Sequence, residues 1–130
     1  MSDLELLTGV NTPFEFNSFL TKWYENPLFG KVSKSSLIEE KLKQGPVKLK
    51  NSLKLLSVGN WPSFWEKIRD LKVPTLYLSG EDDKKYSLMG RELAELSPMI
   101  TSITLKDCAH ITHLEKPGVF RFHIDSFLSN

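Results

Sequence analysis

The chain has 130 residues, of which 40% are hydrophobic and 25% charged, and its formal net charge is +1. These values suit one globular domain, or a piece of a larger one, and favour neither a nucleic-acid partner nor an anionic membrane surface. No apolar run approaches the ~20 residues of a membrane span, and the single cysteine, Cys108, excludes a disulfide within the chain. Residues 1–10 have no basic and apolar stretches in sequence, so we do not expect them to act as a secretory signal.

The amino-terminal part, residues 1–72, contains helix-like stretches and no convincing strand. Thr12 is a candidate N-cap, followed by Pro13 at the first helical position and Glu15 in the first turn. The apolar residues that follow recur at i, i+3, i+4 and i+7, which predicts one stripe on a helix: Phe16, Phe19, Leu20 and Trp23.

Three more short amphipathic helices are predicted in this part. The first is capped by Ser35 or Ser36 and stopped by Gly45. The second begins at Pro46 and ends at Gly59, and the third lies within the segment WPSFWEKIRDL. Four such helices in a row predict a small helical layer.

The pattern changes at Val73. The segment VPTLYLSG is a short apolar run closed by Gly80, which is typical of a buried strand, and residues 100–105 predict a second strand. SLMGRELAELSP predicts a helix between them, and KPGVFRFHIDSFLSN predicts a terminal helix. The order strand, helix, strand, helix indicates a βαβα unit with two parallel strands. Two strands are fewer than a parallel sheet normally has, so one edge of the first strand is expected to be uncovered.

Polar side chains follow both predicted strands. Asp82 and Asp83 come after the first strand, and Asp107, Cys108 and His110 come after the second. Because the carboxyl ends of parallel strands meet at one edge of a sheet, an acid there can accept a hydrogen bond from a histidine ring. That bond holds the tautomer whose other nitrogen acts as a base, the acid-and-base part of a nucleophilic triad.

The blocks PTLYLSGEDDKKY and CAHITHLEKP, with the Phe-rich terminal segment, resemble the carboxyl-terminal end of an α/β-hydrolase fold protein. The resemblance implies that Asp83, three residues after Gly80, is the acid and that His110 is the base, with Ala109 where the family usually has glycine. It also implies a fold of class α/β: a helical lid over residues 1–72, then the βαβα part of the core over residues 73–130.

Four blocks in order resemble 2-succinyl-6-hydroxy-2,4-cyclohexadiene-1-carboxylate (SHCHC) synthase of menaquinone and phylloquinone biosynthesis. They are W-Y-x-x-P-L-F, G-x-x-P-x-x-W, G-E-x-D-x-K-Y and H-x-x-H-L-E-x-P. The resemblance extends from about residue 12 to the end. It implies that aromatic side chains line a substrate pocket, although packing within the lid is the alternative role of each: Trp23, Tyr24, Phe29 and Trp65.

The nucleophile of this fold lies on a G-x-S-x-G motif, and the 130 residues contain none. By the family's order, that motif and the oxyanion loop precede this chain. The resemblance therefore implies a relative of a pyruvate-eliminating lyase that carries the acid and the histidine but lacks the serine, and we expect no substantial activity from this polypeptide alone. It implies a small-molecule carboxylate substrate once an amino-terminal half is added, and no metal or organic cofactor.

Two other functions are open. The chain is alternatively part of a general esterase or hydrolase, or a non-catalytic binding module in which a second copy covers the strand edge as a homodimer. Less specific roles are also expected for four residues near the predicted site: Asp82 as a turn residue, Cys108 as a buried thiol, His113 as a structural hydrogen-bonding residue and His123 as a residue of the terminal helix. An intracellular protein is expected, in the cytoplasm or in an organellar stroma or matrix.

Overall fold

The computed structural model describes residues 7–56 and 62–129. The predicted helix end at Gly59 therefore lies outside the described residues. In chain order the elements are α1 (Pro13–Tyr24), a 3-10 turn (Pro27–Phe29), α2 (Lys34–Leu56), α3 (Trp65–Ile68), β1 (Thr75–Gly80), α4 (Lys84–Leu96), β2 (Ile100–Leu105), α5 (Thr112–Glu115) and α6 (Pro117–Leu128).

The described residues form two compact units. The helical unit contains residues 7–26 and 33–56 with Pro62, and the sheet unit contains residues 27–32 and 63–129. The predicted division into a lid of residues 1–72 and a core part of residues 73–130 stays a prediction. The two compact units group the residues differently. Within the described residues, no helix combines the length and apolar character needed to cross a membrane.

Helix α1 begins as predicted, because Thr12 and Glu15 form a reciprocal cap. The Thr12 hydroxyl accepts from the Glu15 amide at 3.2 Å, and the Glu15 carboxylate accepts from the amides of Thr12 and Asn11 at 2.8 and 2.9 Å. These backbone donors lower the pKa of Glu15. Of the predicted stripe, Phe16 and Leu20 are buried and the other two side chains are partly exposed.

Helix α2 packs against α1 and is interrupted at Gly45, where φ is 77° and ψ is 162°. The predicted break at Gly45 is confirmed, since glycine adopts this left-handed backbone conformation without steric cost. The predicted caps at Ser35 and Ser36 are wrong, because the helix begins at Lys34 and both serines lie in its first turn. The Ser36 hydroxyl donates back to the carbonyl of Ser33, the residue before the helix.

The helix predicted within WPSFWEKIRDL is shorter than expected. Only Trp65–Ile68 is helical, and Phe64 and Trp65 are exposed. The amides of Asp70 and Leu71 donate to carbonyls three residues back, so α3 ends in a tighter turn after four residues. A single turn is too short to present a continuous apolar face.

The two strands are parallel and pair from Thr75 with Ile100 to Gly80 with Leu105, as the sequence predicts. Burial is less complete than the apolar run suggests: in β1, residues 75–78 are partly exposed and only the last two residues are buried. The free edge of a two-stranded sheet is the reason, since no third strand covers β1 within the described residues.

Helix α4 packs on both strands, and Gly90 permits the close approach. A Cβ atom at Gly90 would meet the Tyr77 ring and the Ser102 hydroxyl. The helix begins at Lys84, three residues before the predicted start, because the Asp83 carboxylate caps it. The terminal helix α6 is confirmed, but several of its apolar side chains are exposed: Val119, Phe122 and Leu128.

Candidate active site

The two loops at the carboxyl ends of the strands are bonded to each other. The Glu81 amide donates to the Leu105 carbonyl and the Asp82 amide to the Cys108 carbonyl, both at 2.9 Å. The Asp107 amide donates to the Glu81 carboxylate at 3.4 Å, and Asp107 itself has a φ of 49°, a left-handed conformation that aspartate tolerates. These bonds align the acid-bearing loop with the histidine-bearing loop.

Gly80 lets the two loops approach this closely. A Cβ atom at this position would collide with the carbonyl groups of Cys108 and Ala109. Both colliding groups are backbone atoms, which cannot rotate away as a side chain can. The glycine is therefore required by the proximity of the second loop and not by its own dihedral angles.

Asp83 and His110 meet at this edge of the sheet. The Oδ2 atom of Asp83 lies 2.5 Å from Nδ1 of His110. The Asp83 side chain is 4% exposed and the His110 side chain 39% exposed. Of the two candidate acids, Asp83 therefore contacts the histidine, while Asp82 is exposed. With Nδ1 donating to the carboxylate, Nε2 is the ring nitrogen left to accept a proton.

Two tyrosines support this pair. The Tyr86 ring packs against the His110 ring at a centroid distance of 5.1 Å, and the Tyr86 amide donates to Oδ1 of Asp83 at 3.4 Å. The Tyr77 hydroxyl donates to the Tyr86 carbonyl at 3.1 Å. Burial raises the pKa of Tyr77, and the neighbouring Tyr86 and Asp83 raise it further, so the phenol keeps its proton.

Neither tyrosine was assigned a role from the sequence, although Tyr86 lies in the block GEDDKKY. The available signal was its position three residues after Asp83, in the first turn of the helix that Asp83 caps. A capping residue and the third residue after it are brought together by helix geometry.

The loop that carries His110 also contacts the 3-10 turn at Pro27–Phe29. The His110 amide donates to the Leu28 carbonyl at 3.1 Å. Phe29, a predicted pocket residue, is therefore next in the chain to a residue bonded to His110, and its side chain is partly buried. On the other side of the loop, the Ala109 amide donates to the Glu115 carboxylate at 3.1 Å.

Comparison with known proteins gives consistent relatives. No protein-family profile matches the chain. A Bacillus subtilis (strain 168) protein named "Putative 2-succinyl-6-hydroxy-2,4-cyclohexadiene-1-carboxylate synthase" is 27% identical over 121 residues, covering 87% of this chain and 43% of that protein. The SHCHC synthase of Serratia proteamaculans (strain 568) is 28% identical over 114 residues, covering 85% and 43%.

A solved structure of MenH from S. aureus superposes on this chain with a TM-score of 0.85 and 26% identity, covering 97% of this chain and 48% of that one. This chain is a homologue of the SHCHC synthases. It has the carboxyl-terminal part of their α/β-hydrolase fold, which confirms the predicted fold class. The chain spans less than half the length of the curated synthases that it matches.

The other predicted pocket residues of this SHCHC synthase homologue are distributed over both units. Trp23 and Tyr24 lie on α1 in the helical unit, with ring centroids 5.1 Å apart, and Phe19 stacks on Trp23. Trp65 lies in the sheet unit and lines a cavity of about 300 Å³ with Glu66, Arg69 and Leu96. A pocket role for these aromatic residues stays a prediction.

Cys108 and His123 lie where their less specific roles predict, and the hydrogen-bonding role of His113 stays a prediction. Cys108 is fully buried, and burial, followed by the charge of Glu115, raises the pKa of its thiol. His113 packs its ring against Phe120, and His123 lies on α6, the terminal helix. In residues 7–56 and 62–129, no three His, Cys, Asp or Glu side chains are grouped to hold a metal ion.

Proposed function

We propose that Asp83 and His110 are the orienting acid and the base of a pyruvate-eliminating lyase of the SHCHC synthase type. The 2.5 Å contact between Oδ2 of Asp83 and Nδ1 of His110 carries the proposal. It lies at the carboxyl ends of two adjacent parallel strands, where open α/β sheets place their functional groups. The homology to SHCHC synthases supplies the reaction class.

The proposed roles follow from the geometry of the pair. The buried Asp83 carboxylate holds Nδ1 of His110 as the donor, so Nε2 accepts the proton of a serine hydroxyl. The serine oxygen in turn takes a proton from a carbon of the succinyl-bearing cyclohexene substrate. The electron pair of that carbon–hydrogen bond forms a ring double bond, and the carbon–oxygen bond to the departing group breaks with its electron pair on oxygen. The departing enolate takes up the proton that His110 held and becomes pyruvate, which restores the neutral histidine and the serine hydroxyl. No step needs a metal or an organic cofactor.

The serine itself is proposed to come from polypeptide outside these 130 residues. The sequence contains no G-x-S-x-G motif, and the chain covers 43% of each of the two synthases compared above. Donors that stabilise developing enolate charge are proposed to come from the same source. We therefore propose that the 130 residues have no substantial activity by themselves, since losing a nucleophile costs orders of magnitude in rate.

The substrate is proposed to be a small carboxylate held among aromatic side chains. The bond between the His110 amide and the Leu28 carbonyl supports Phe29 as one of them, because it brings the neighbouring residue close to the histidine loop. Trp23, Tyr24 and Trp65 are proposed as further pocket residues on the basis of the synthase-like blocks alone.

Pyruvate release from the SHCHC synthase substrate tests this function. The purified chain is assayed alone and with an added amino-terminal half of a related synthase, and a His110→Gln chain serves as the matched control. Release is expected only with the added half and only with His110 present. Release by the chain alone would contradict the proposed source of the nucleophile, and equal release by His110→Gln would contradict the role of the histidine.

An esterase function is the alternative within the same fold. The complemented chain would then hydrolyse a short-chain nitrophenyl ester faster than it releases pyruvate. Because the fold does not fix the substrate, the ratio of the two rates in one preparation separates these functions.

A non-catalytic homodimer is the second candidate, and exposed apolar surface on the sheet unit favours it. Apolar residues of β1 and α6 line a cavity of about 540 Å³, and Phe122 and Leu128 are largely exposed on α6. A second copy that covers this surface would give a dimer mass by light scattering at micromolar concentration. A monomer at every concentration tested would exclude this candidate.

A further inference from the structure

We infer that Glu115 is a positioning residue that joins the loop carrying His110 to the segment Pro27–Val32, and that this junction holds the His110 ring against Asp83. The inference rests on the proposed function, because it assigns Glu115 to the same acid-and-base pair. Glu115 lies in the block HLEKP and has no part in the reaction described above.

The two oxygens of one carboxylate hold two chain segments. Oε1 of Glu115 accepts from the Ala109 amide at 3.1 Å, and Oε2 accepts from the Lys31 amide at 3.5 Å. Lys31 and Glu115 are 84 positions apart, so this is a tertiary junction and not a local turn. The His110 amide bond to the Leu28 carbonyl is a second, direct link between the histidine loop and the segment Pro27–Val32.

Gly30 shows how closely the segment approaches this carboxylate. Its φ is 58°, in the left-handed region that favours glycine. A Cβ atom on Gly30 would also strike the carboxylate group of Glu115. The backbone conformation favours glycine, and a larger residue would displace either the segment or the flexible Glu115 carboxylate, which breaks the junction in both cases.

The junction bears directly on the histidine because Ala109 is the residue before it. The loop is anchored toward the acid by the bond from the Asp82 amide to the Cys108 carbonyl at 2.9 Å. Glu115 supplies the second anchor, on the other side of the loop. The His110 ring is 39% exposed and touches Asp83 and the Tyr86 ring on its other sides, so the backbone anchors fix the position from which Nδ1 reaches the Asp83 carboxylate.

Two variants disrupt the junction, one at Glu115 and one in the segment Pro27–Val32. Glu115→Gln leaves one carbonyl oxygen for two amide donors and turns an amino group toward one of them. Gly30→Ala places a methyl group against the carboxylate from the other segment. Glu95→Gln, an exposed change on α4, is the control for the first variant. Gly45→Ala is the control for the second, because Gly45 also has a positive φ but has nothing within 4 Å of the added Cβ.

Two readouts on the full 130-residue chain test the inference. In both variants, hydrogen exchange at the Ala109 and Lys31 amides is expected to accelerate roughly tenfold or more, since a charge-assisted bond is lost at each. The ¹⁵N shifts of the His110 ring are expected to move from a single Nδ1–H tautomer toward a mixture of tautomers. Neither control is expected to change the ring shifts.

Unchanged ring shifts in Gly30→Ala or in a folded Glu115→Gln would overturn the inference, because a purely structural Glu115 would alter stability without altering the tautomer. Unchanged exchange at Ala109 and Lys31 would overturn it as well. Both readouts are independent of catalysis. If the complemented chain releases no pyruvate while the ring shifts still respond to Glu115→Gln, the proposed reaction fails and the positioning role stands.

Discussion

The buried Asp83 carboxylate contacts His110, 27 positions along the chain, with Oδ2 lying 2.5 Å from Nδ1 of the ring. This contact is shorter than the one made by the other oxygen, Oδ1. Oδ1 accepts from the Tyr86 amide and so caps helix α4. The cap bond therefore restrains the Asp83 side chain in the orientation that reaches the histidine. This dual use makes the pair a preorganised unit.

The change Asp83→Asn is expected to lower pyruvate release by the complemented chain by a factor on the order of 10³–10⁴, because an amide partner favours the wrong imidazole tautomer. Asp82→Asn is the matched control, since Asp82 is exposed and joins the other loop only through its backbone amide. Steady-state assays of both variants measure the effect. Equal losses in the two variants would assign the acid role to neither residue.

The Tyr86 ring is expected to matter more than its hydroxyl. Tyr86→Phe keeps the ring that packs against His110, so its rate should stay within about twofold of the parent. Tyr86→Ala removes the ring and is expected to lower kcat roughly tenfold, because a loosened base is misplaced for proton transfer. A comparison of kcat in the two variants of the complemented chain is the measurement, and equal kcat values would contradict the proposed packing role.

The change Gly80→Ala is expected to lower the free energy of unfolding by about 1–3 kcal/mol, the usual range for forcing extra atoms into a packed site. The Cβ would strike the backbone carbonyl groups of Cys108 and Ala109, which must move with the whole loop. Gly118→Ala is the control, because nothing lies within 4 Å of its added Cβ. Urea unfolding of both variants gives the difference, and a Gly80→Ala variant as stable as Gly118→Ala would exclude the collision.

The Cys108 thiol is expected to make stability depend on alkaline pH. Because burial raises its pKa in the folded chain, the folded state keeps the proton after the unfolded chain has lost it. The contribution is complete below the thiol's ordinary pKa of about 8.5 and is lost as the pH rises above that value. Urea unfolding at increasing pH should show a steeper loss in the parent than in Cys108→Ala. Parallel curves would show that the thiol does not contribute.

The change Thr12→Ala is expected to destabilise the helical unit by about 1 kcal/mol, the usual cost of losing an N-cap side chain. The Thr12 hydroxyl accepts from the Glu15 amide, which would lose its partner. Thr21→Ala is the control within the same helix, because the Thr21 hydroxyl donates to a helical carbonyl and caps nothing. Thermal unfolding followed by circular dichroism measures both variants. A loss in Thr21→Ala as large as in Thr12→Ala would contradict the cap.

Local signals were sufficient wherever one residue or its near neighbours decide the structure. The cap at Thr12, the break at Gly45 and the strand at Ile100–Leu105 all follow from side-chain chemistry within a few positions. The prediction of a cap at Ser35 or Ser36 was wrong because three nearby serines offer equivalent hydroxyl groups. Ser33 is the serine that precedes the helix. The predicted length of helix α3 was wrong because its aromatic residues suggest a buried face, and the fold leaves these residues exposed.

The sequence by itself determined the α/β class, the two parallel strands and the identity of the acid and histidine candidates. These follow from periodicity, from turn residues and from the rule that functional groups collect where parallel strands end. The family resemblance already favours Asp83 over Asp82 as the acid. Only the tertiary structure decided that the Asp83 carboxylate contacts Nδ1 of His110, that Tyr86 packs on the ring, and that Glu115 holds the segment at Lys31. Each of these depends on distances between residues far apart in the chain, which are set by packing, and no local pattern encodes them.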